Sequence, residues 1–293
     1  MMIYDIKAFD ESVLTAFQPV FKIGLIATVA PEGLPHITLT SSLRAVTPKK
    51  LVFGEFCGGR SKQNLERNPK AAFLVLTGDR RIYRGHARWS HSRSEGPEYD
   101  EYCDMPFFSG EFCFSVSRVH YLQLVNARGP AFFPGRKRFV TAMLSRPSKK
   151  PERASAGDPE KKEILSGIAR RVMNRPDAAG FMAFLKKDGF PEIVPLLHFR
   201  ASGGDRLAVF PFSRRDEPEE VQTGERMSVF CITKAMESVL MGGVFAGFRR
   251  RKLMKRGLME IDTIYNSMPP AHGRIYPTEP LEAVTQWIDF PKK

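Results

Sequence analysis

Apolar residues in this chain gather into short runs separated by glycine, proline and charged turns, the spacing of strands rather than of long helices. Ile6, Phe9, Val13, Leu14 and Phe17 break that habit, and their helical spacing predicts an opening helix over 6–20. Gly24–Val29 then reads as a buried strand, Pro31–Gly33 as a turn and Ile37–Leu43 as a second strand. Thr47–Lys50 turns the chain into a third strand, Leu51–Phe56. Ala71–Leu76 is a fourth, and Gly78-Asp79 turns it into Ile82–Trp89. A polar helical piece over 94–104 precedes a long closing strand, Phe112–Val125. Six antiparallel strands with short turns and few helices predict a small barrel.

The texture then changes. Residues 145–159 carry almost no apolar side chain and read as a linker, and Lys161–Met173 reads as helical. After that the first pattern returns. Gly180, Gly189 and Pro191 each stand 156 residues after Gly24, Gly33 and Pro35, and at the same offset Leu207–Val209 falls on Leu51–Phe53 and Val229–Ile232 on Phe73–Leu76. Matching turn and strand positions over such a length indicate a tandem duplication. The expected organisation is a first barrel over 1–144, the linker over 145–159 and a second, degenerate barrel over 160–293. In fold class that is a mainly β protein with peripheral helices, two tandem split β-barrels forming a pseudo-dimer within one chain.

One stretch carries candidate chemistry. After the third strand come Gly58-Gly59, then Arg60-Ser61-Lys62-Gln63-Asn64, closed by Asn68-Pro69. A glycine-hinged loop that leaves a strand and opens a helix, with Ser61 at a plausible N-cap, presents backbone N–H groups and the positive end of a helix dipole. Arg60 and Lys62 add formal charge there, which suits a phosphate. A solvated loop and helix start would read the same way. The second copy has Ser213–Glu220 at this place, with Asp216, Glu217, Glu219 and Glu220, which would repel a phosphate.

Gly-x-Pro leading a strand, a Val-Phe strand end, the Gly-Arg loop and Asn64-Leu65-x-x-Asn68-Pro69 together resemble the pyridoxamine 5′-phosphate oxidase-like, FMN-binding split-barrel superfamily. The match covers about 20–90 well and, through the repeat, 178–248 weakly. The resemblance implies an FMN lying between two barrels, its phosphate held by Arg60, Ser61 and Lys62 and the loop supported by Asn64. It implies Thr38, Leu39 and Thr40 along the flavin, with Phe56 and Cys57 beside them. The chain departs from the oxidase proper, whose second strand has an Arg/Lys pair where Thr38 and Leu43 stand here. An Arg118-x-His120 in the closing strand matches the oxidase's substrate motif in letters only. The implied activity is that of an FMN-dependent oxidoreductase or flavin reductase acting on a small-molecule substrate or electron donor. A non-catalytic flavin- or haem-binding carrier is the alternative.

The chain is 293 residues long with a formal net charge of +13, concentrated in the 146–175 region and in Arg249–Arg256. Such charge suits phosphorylated ligands or simple solvation, and nucleic-acid binding ranks last because no interleaved aromatics or binding motif accompany it. Cys57, Cys103, Cys113 and Cys231 form no Cys-x-x-Cys pair and read as reduced thiols. Cys103, Cys113 and His120 fit no common zinc spacing, so no metal is expected. His36, His86, His91, His198 and His272 are scattered and read as packed or surface residues. Tyr99, Tyr102, Phe107, Phe108 and Phe112 read as core packing first and as a wall over a flavin second. No apolar run reaches membrane-spanning length, and the acidic start (Asp5, Asp10, Glu11) differs from a signal peptide, so a cytoplasmic protein with no membrane partner is expected. A homodimer on top of the intrachain pair is compatible with this reading.

Overall fold

In the computed structural model the described residues are 4–18, 21–56, 59–105, 116–133, 164–165, 167–211, 221–251, 254–266, 271–277 and 282–283. The linker at 145–159, the acidic Ser213–Glu220 stretch, Cys57, Cys113, Phe107, Phe108 and Phe112 lie outside them.

The first half runs β1 (Tyr4–Ile6), α1 (Glu11–Phe17), β2 (Ile23–Val29), β3 (Pro35–Leu39), β4 (Arg44–Thr47), β5 (Lys50–Glu55), α2 (Arg60–Arg67), β6 (Lys70–Leu76), β7 (Arg81–Arg93), α3 (Pro97–Asp104) and β8 (Arg118–Phe132). Its sheet order is β3-β2-β6-β7-β8-β5-β4. Because β3 and β4 are consecutive pieces of one bent strand, the two ends of that order are joined by the chain itself, and six strands close into a barrel. The expected second strand over 37–43 is therefore two strands. The bend lies at 40–43, where the Thr40 N–H donates to Gly24 O at 2.7 Å and the Leu43 N–H to Thr40 O at 3.0 Å. Of the expected closing strand over 112–125, residues 112–115 lie outside the described residues; β8 begins at Arg118 and runs on to Phe132, where its end also pairs with β1. The opening helix is shorter than 6–20. Asp10 caps it by accepting from the Val13 N–H at 2.9 Å, and Ile6 belongs to β1.

The second half runs α4 (Gly167–Asn174), β9 (Ala179–Leu185), β10 (Pro191–Ala201), β11 (Arg206–Pro211), β12 (Arg226–Ile232), β13 (Ser238–Arg251), β14 (Met254–Asn266), β15 (Ala271–Tyr276) and β16 (Glu282–Ala283). Its order is β11-β10-β9-β12-β13-β14-β15-β16, and an added β11–β14 pairing closes a second six-strand ring. Of the basic run 249–256, Arg249, Arg250 and Arg251 on β13 stand opposite Arg256, Lys255 and Met254 on β14. The 156-residue offset survives in three dimensions. Strands β2, β5 and β6 begin 156 residues before β9, β11 and β12. Gly33 and Gly189 turn with φ of +74° and +79°, a conformation that favours glycine.

Alternation along the strands explains why so many are buried on both faces. Ile26, Phe53, Ala71, Phe73 and Val75 point into the first barrel, and Met182, Val209, Met227, Val229 and Cys231 into the second. Their neighbours point outward and meet in a third core between the barrels. There Leu25, Ala27, Ile37 and Leu74 face Phe181, Ala183, Ile193 and Phe230, the same four positions of each copy. Such a self-complementary contact is what a two-fold dimer would use, here made within one chain. The approach is close: a Cβ on Gly242 would lie 2.7 Å from Leu34 Cδ2 of the other barrel.

Candidate functional site

Strand β5 ends at Glu55, and regular structure resumes at α2, whose first turn carries Arg60, Ser61 and Lys62. The N-cap residue is Gly59, and no side chain caps the helix. The Lys62 N–H closes the first turn on Gly59 O at 3.2 Å, and the positive end of the helix dipole lies at this place. Ser61, expected at the N-cap, sits one residue inside the helix instead. Its hydroxyl is hydrogen-bonded to that of Thr38 on β3, which pins the start of α2 to the strand. Ser61, Asn64 and Leu65 form the buried stripe of the helix, at i, i+3 and i+4. Asn64 Nδ2 donates to Thr28 Oγ1 at 3.0 Å, so the side chain expected to support the loop bonds the helix to β2 beneath it.

The structure brings Thr38, Arg60, Ser61, Lys62 and Asn64 to one place, where β3 meets the N-terminus of α2. Leu39 follows Thr38 and packs against the core between the barrels. Thr40 is buried at the bend, its N–H already committed to Gly24. Phe56 stands apart, against Val52, Tyr102, Val116, Val119 and Tyr121. Tyr102 is buried under the Arg44 guanidinium, 4.6 Å from its ring centroid, and serves as packing.

Two further residues belong to the site, of which His36 reads in the sequence as a packed or surface residue. His36 is 7% exposed, and its ring meets the edge of Tyr265 with centroids 5.1 Å apart. Burial, then the charges of Arg60 and Lys62, push its pKa down to about 3, so the imidazole is neutral at physiological pH. Tyr265 belongs to β14 of the second barrel, and the Arg60 guanidinium lies 5.4 Å from its ring centroid. From the sequence, the unusual Ile261–Tyr276 segment reads either as reaching the first barrel's site or as rim of the second barrel, and the fold brings its Tyr265 to Arg60. Glu55 is the nearby counter-charge. Burial opposes its ionisation, yet the hydrogen bond from His120 Nε2 at 2.8 Å and the charges of Lys62 and Arg118 hold its pKa below the ordinary carboxylate value. His120 is turned inward, stacked on Phe53 at 4.7 Å and accepting from Trp89 Nε1 at 3.2 Å. The Arg118-x-His120 letters therefore carry structure. Among the described residues no cluster of His, Cys, Asp or Glu is arranged to hold a metal.

A family model described as "Pyridoxamine 5'-phosphate oxidase" matches residues 12–105, the segment that builds this site. Over that segment, about a third of the chain, the sequence is similar to the pyridoxamine 5′-phosphate oxidase family. No curated protein matches the chain. Solved structures similar to it include HupZ of Group A Streptococcus, 17% identical, covering 43% of this chain and 98% of that one with a TM-score of 0.35. An FMN-binding protein from Syntrophomonas wolfei subsp. wolfei is 16% identical over 43% of this chain and 90% of its own, with a TM-score of 0.35. An F420 reductase is 20% identical over 40% and 94%, with a TM-score of 0.32. Likeness at this level fixes neither ligand nor reaction. No helix among the described residues is long and apolar enough to cross a membrane.

Proposed function

We propose that the chain binds FMN at the first barrel's α2 loop and acts as a flavin-dependent oxidoreductase or flavin reductase on a small-molecule substrate or electron donor. The observation that carries the reading is the convergence at one point of a helix N-terminus without a side-chain cap, two cations and two hydroxyls. That donor set fits a phosphate: Arg60 and Lys62 supply charge-assisted bonds, Ser61 and Thr38 supply hydroxyls, and Asn64 fixes the helix that presents them. Leu39, on the barrel interface, offers an apolar edge for a flat ring. FMN, when bound, would supply the electron or hydride transfer, so the protein's part is to bind, orient and shield it.

The second barrel supplies what relatives would obtain from another subunit, so the site needs no second chain. A carrier without a reaction of its own is the rival reading. It is favoured by one fact: the histidine nearest the loop, His36, is buried and neutral and offers no proton at physiological pH. Titration of the purified full chain with FMN, followed by flavin absorbance and by reduction with a nicotinamide nucleotide, separates these readings. Binding with turnover supports the enzyme, binding without it the carrier, and no binding defeats both.

A further inference from the structure

We infer that Tyr265 of the second barrel is a positioning residue for Arg60, holding its guanidinium by a cation–π contact so that phosphate affinity at the first barrel's loop depends on the second barrel. This rests on the phosphate-loop reading and adds a residue to it.

Four observations on separate elements carry it. The Arg60 guanidinium sits 5.4 Å from the Tyr265 centroid, within the range where ring and cation attract. The ring itself is fixed. Tyr265 is only 9% exposed, belongs to the core between the barrels, and has its backbone in register with Leu240 on one side and Arg274 on the other. Its edge is met by His36 at 5.1 Å from β3, the strand that also bonds Ser61 through Thr38. Finally, the barrels are held in this register by close contacts such as Gly242 against Leu34.

The consequence is chemical. A free arginine side chain explores many rotamers, and ordering it for a ligand costs entropy. An arginine already laid against a fixed aromatic face loses less when a phosphate arrives. His36 adds no charge of its own, so the field at the loop comes from Arg60, Lys62 and the helix end. Glu55 is the opposing charge, and it is turned toward His120. The second copy repeats none of this, because its sequence at the loop is acidic.

The test is FMN titration of the full chain carrying Tyr265→Leu, Tyr265→Phe, Arg60→Ala and the double change Arg60→Ala/Tyr265→Leu. Tyr265→Leu is expected to weaken FMN roughly three- to thirty-fold, the range of a partly desolvated cation–π contact. Tyr265→Phe should stay within about two-fold of wild type, because the ring face is kept. In the Arg60→Ala background, Tyr265→Leu should then have no further effect. If Tyr265→Leu does not fold, phenylalanines of increasing fluorination at position 265 keep the shape and weaken only the ring's field. Affinity should fall with each fluorine. A flat fluorination series, or full affinity in Tyr265→Leu while Arg60→Ala is weakened, overturns the inference and leaves the phosphate loop standing. Wild-type affinity in Arg60→Ala overturns both.

Discussion

Removing one carboxylate from between the barrels should cost the protein a large share of its stability. Glu192 on β10 projects from the second barrel into the first. Its carboxylate lies 3.2 Å from Arg84 Nη1 and 2.9 Å from His86 Nε2, and Arg84 Nη1 also donates to Ile193 O at 3.2 Å. The three side chains are 15%, 10% and 7% exposed, and His86 Nδ1 is 2.9 Å from Asn126 Oδ1. Glu192→Ala would leave the arginine buried without its carboxylate, a type of loss worth about 3–5 kcal/mol. At roughly 2 °C per kcal/mol for a chain of this size, the melting temperature should drop by about 6–10 °C. Removing Glu260, whose pair with Arg206 is 37% and 52% exposed, should cost at most about 1 kcal/mol. The effect should also depend on pH. Burial raises the Glu192 pKa, but His86 and Arg84 outweigh it and hold the folded value below the ordinary 4.5. A depressed carboxyl pKa stabilises the fold above the unfolded value, and the contribution fades as pH falls below about 4.5 through the folded one. Wild type and Glu192→Ala should therefore differ most near neutrality and converge in acid. Thermal melts by circular dichroism across that range decide it. A variant melting within about 2 °C of wild type at neutral pH, or a gap that does not shrink in acid, would refute the reasoning.

Further outcomes follow from the site and the interface. Arg60→Ala with Lys62→Ala should weaken FMN by at least about a hundred-fold, at roughly 1.5–3 kcal/mol per charge-assisted contact, while the melt stays near wild type; unchanged affinity by titration removes the loop from the site. Asn64→Ala should lower stability by about 1–3 kcal/mol, because the buried hydrogen bond from Asn64 to Thr28 is lost, and a denaturant melt would show whether it does. Flavin absorbance against protein mass should give one FMN per chain, and two would contradict the asymmetry of the loops. Residues 1–144 expressed alone would expose Leu25, Ile37 and Leu74, so the fragment should self-associate and bind FMN more weakly than the full chain; a stable monomer of equal affinity by ultracentrifugation and titration refutes a shared site.

The barrel strands were legible because their evidence is local. Runs such as Ala71–Leu76, bounded by turns, have no helical alternative, and the repeat at 156 residues marks them twice. What was not legible depends on partners distant in the chain. Nothing near Tyr4–Ile6 announces a strand, since its partner is the far end of β8. The bend at 40–43 hides inside a strand-like run, because Leu43 returns to the barrel core after Ser41 and Ser42. At the site, Arg60 and Lys62 could be picked out by type and spacing. For Tyr265 the sequence left two places open, the first barrel's site and the second barrel's rim, and only the packing of one barrel on the other decides between them.

The asymmetry of the two copies is sharpest at one pair of equivalent positions. His36 on β3 and Glu192 on β10 stand 156 residues apart, and each reaches across to the opposite barrel. At the first, a neutral ring meets Tyr265 and leaves Arg60 and Lys62 without a carboxylate from β3. At the second, a carboxylate from the protein itself occupies the basic ground made by Arg84 and His86. An anion approaching there would have to displace Glu192 and strand it near its own charge. At this position the second copy thus contributes to an internal ion cluster that fastens the barrels together. Glu192 reaches the first barrel through β7, whose neighbour β6 pairs with β2, and β2 carries β3 with His36 and Thr38. A single hydrogen-bonded sheet therefore runs from the Glu192 cluster to the strand whose Thr38 holds Ser61 in place.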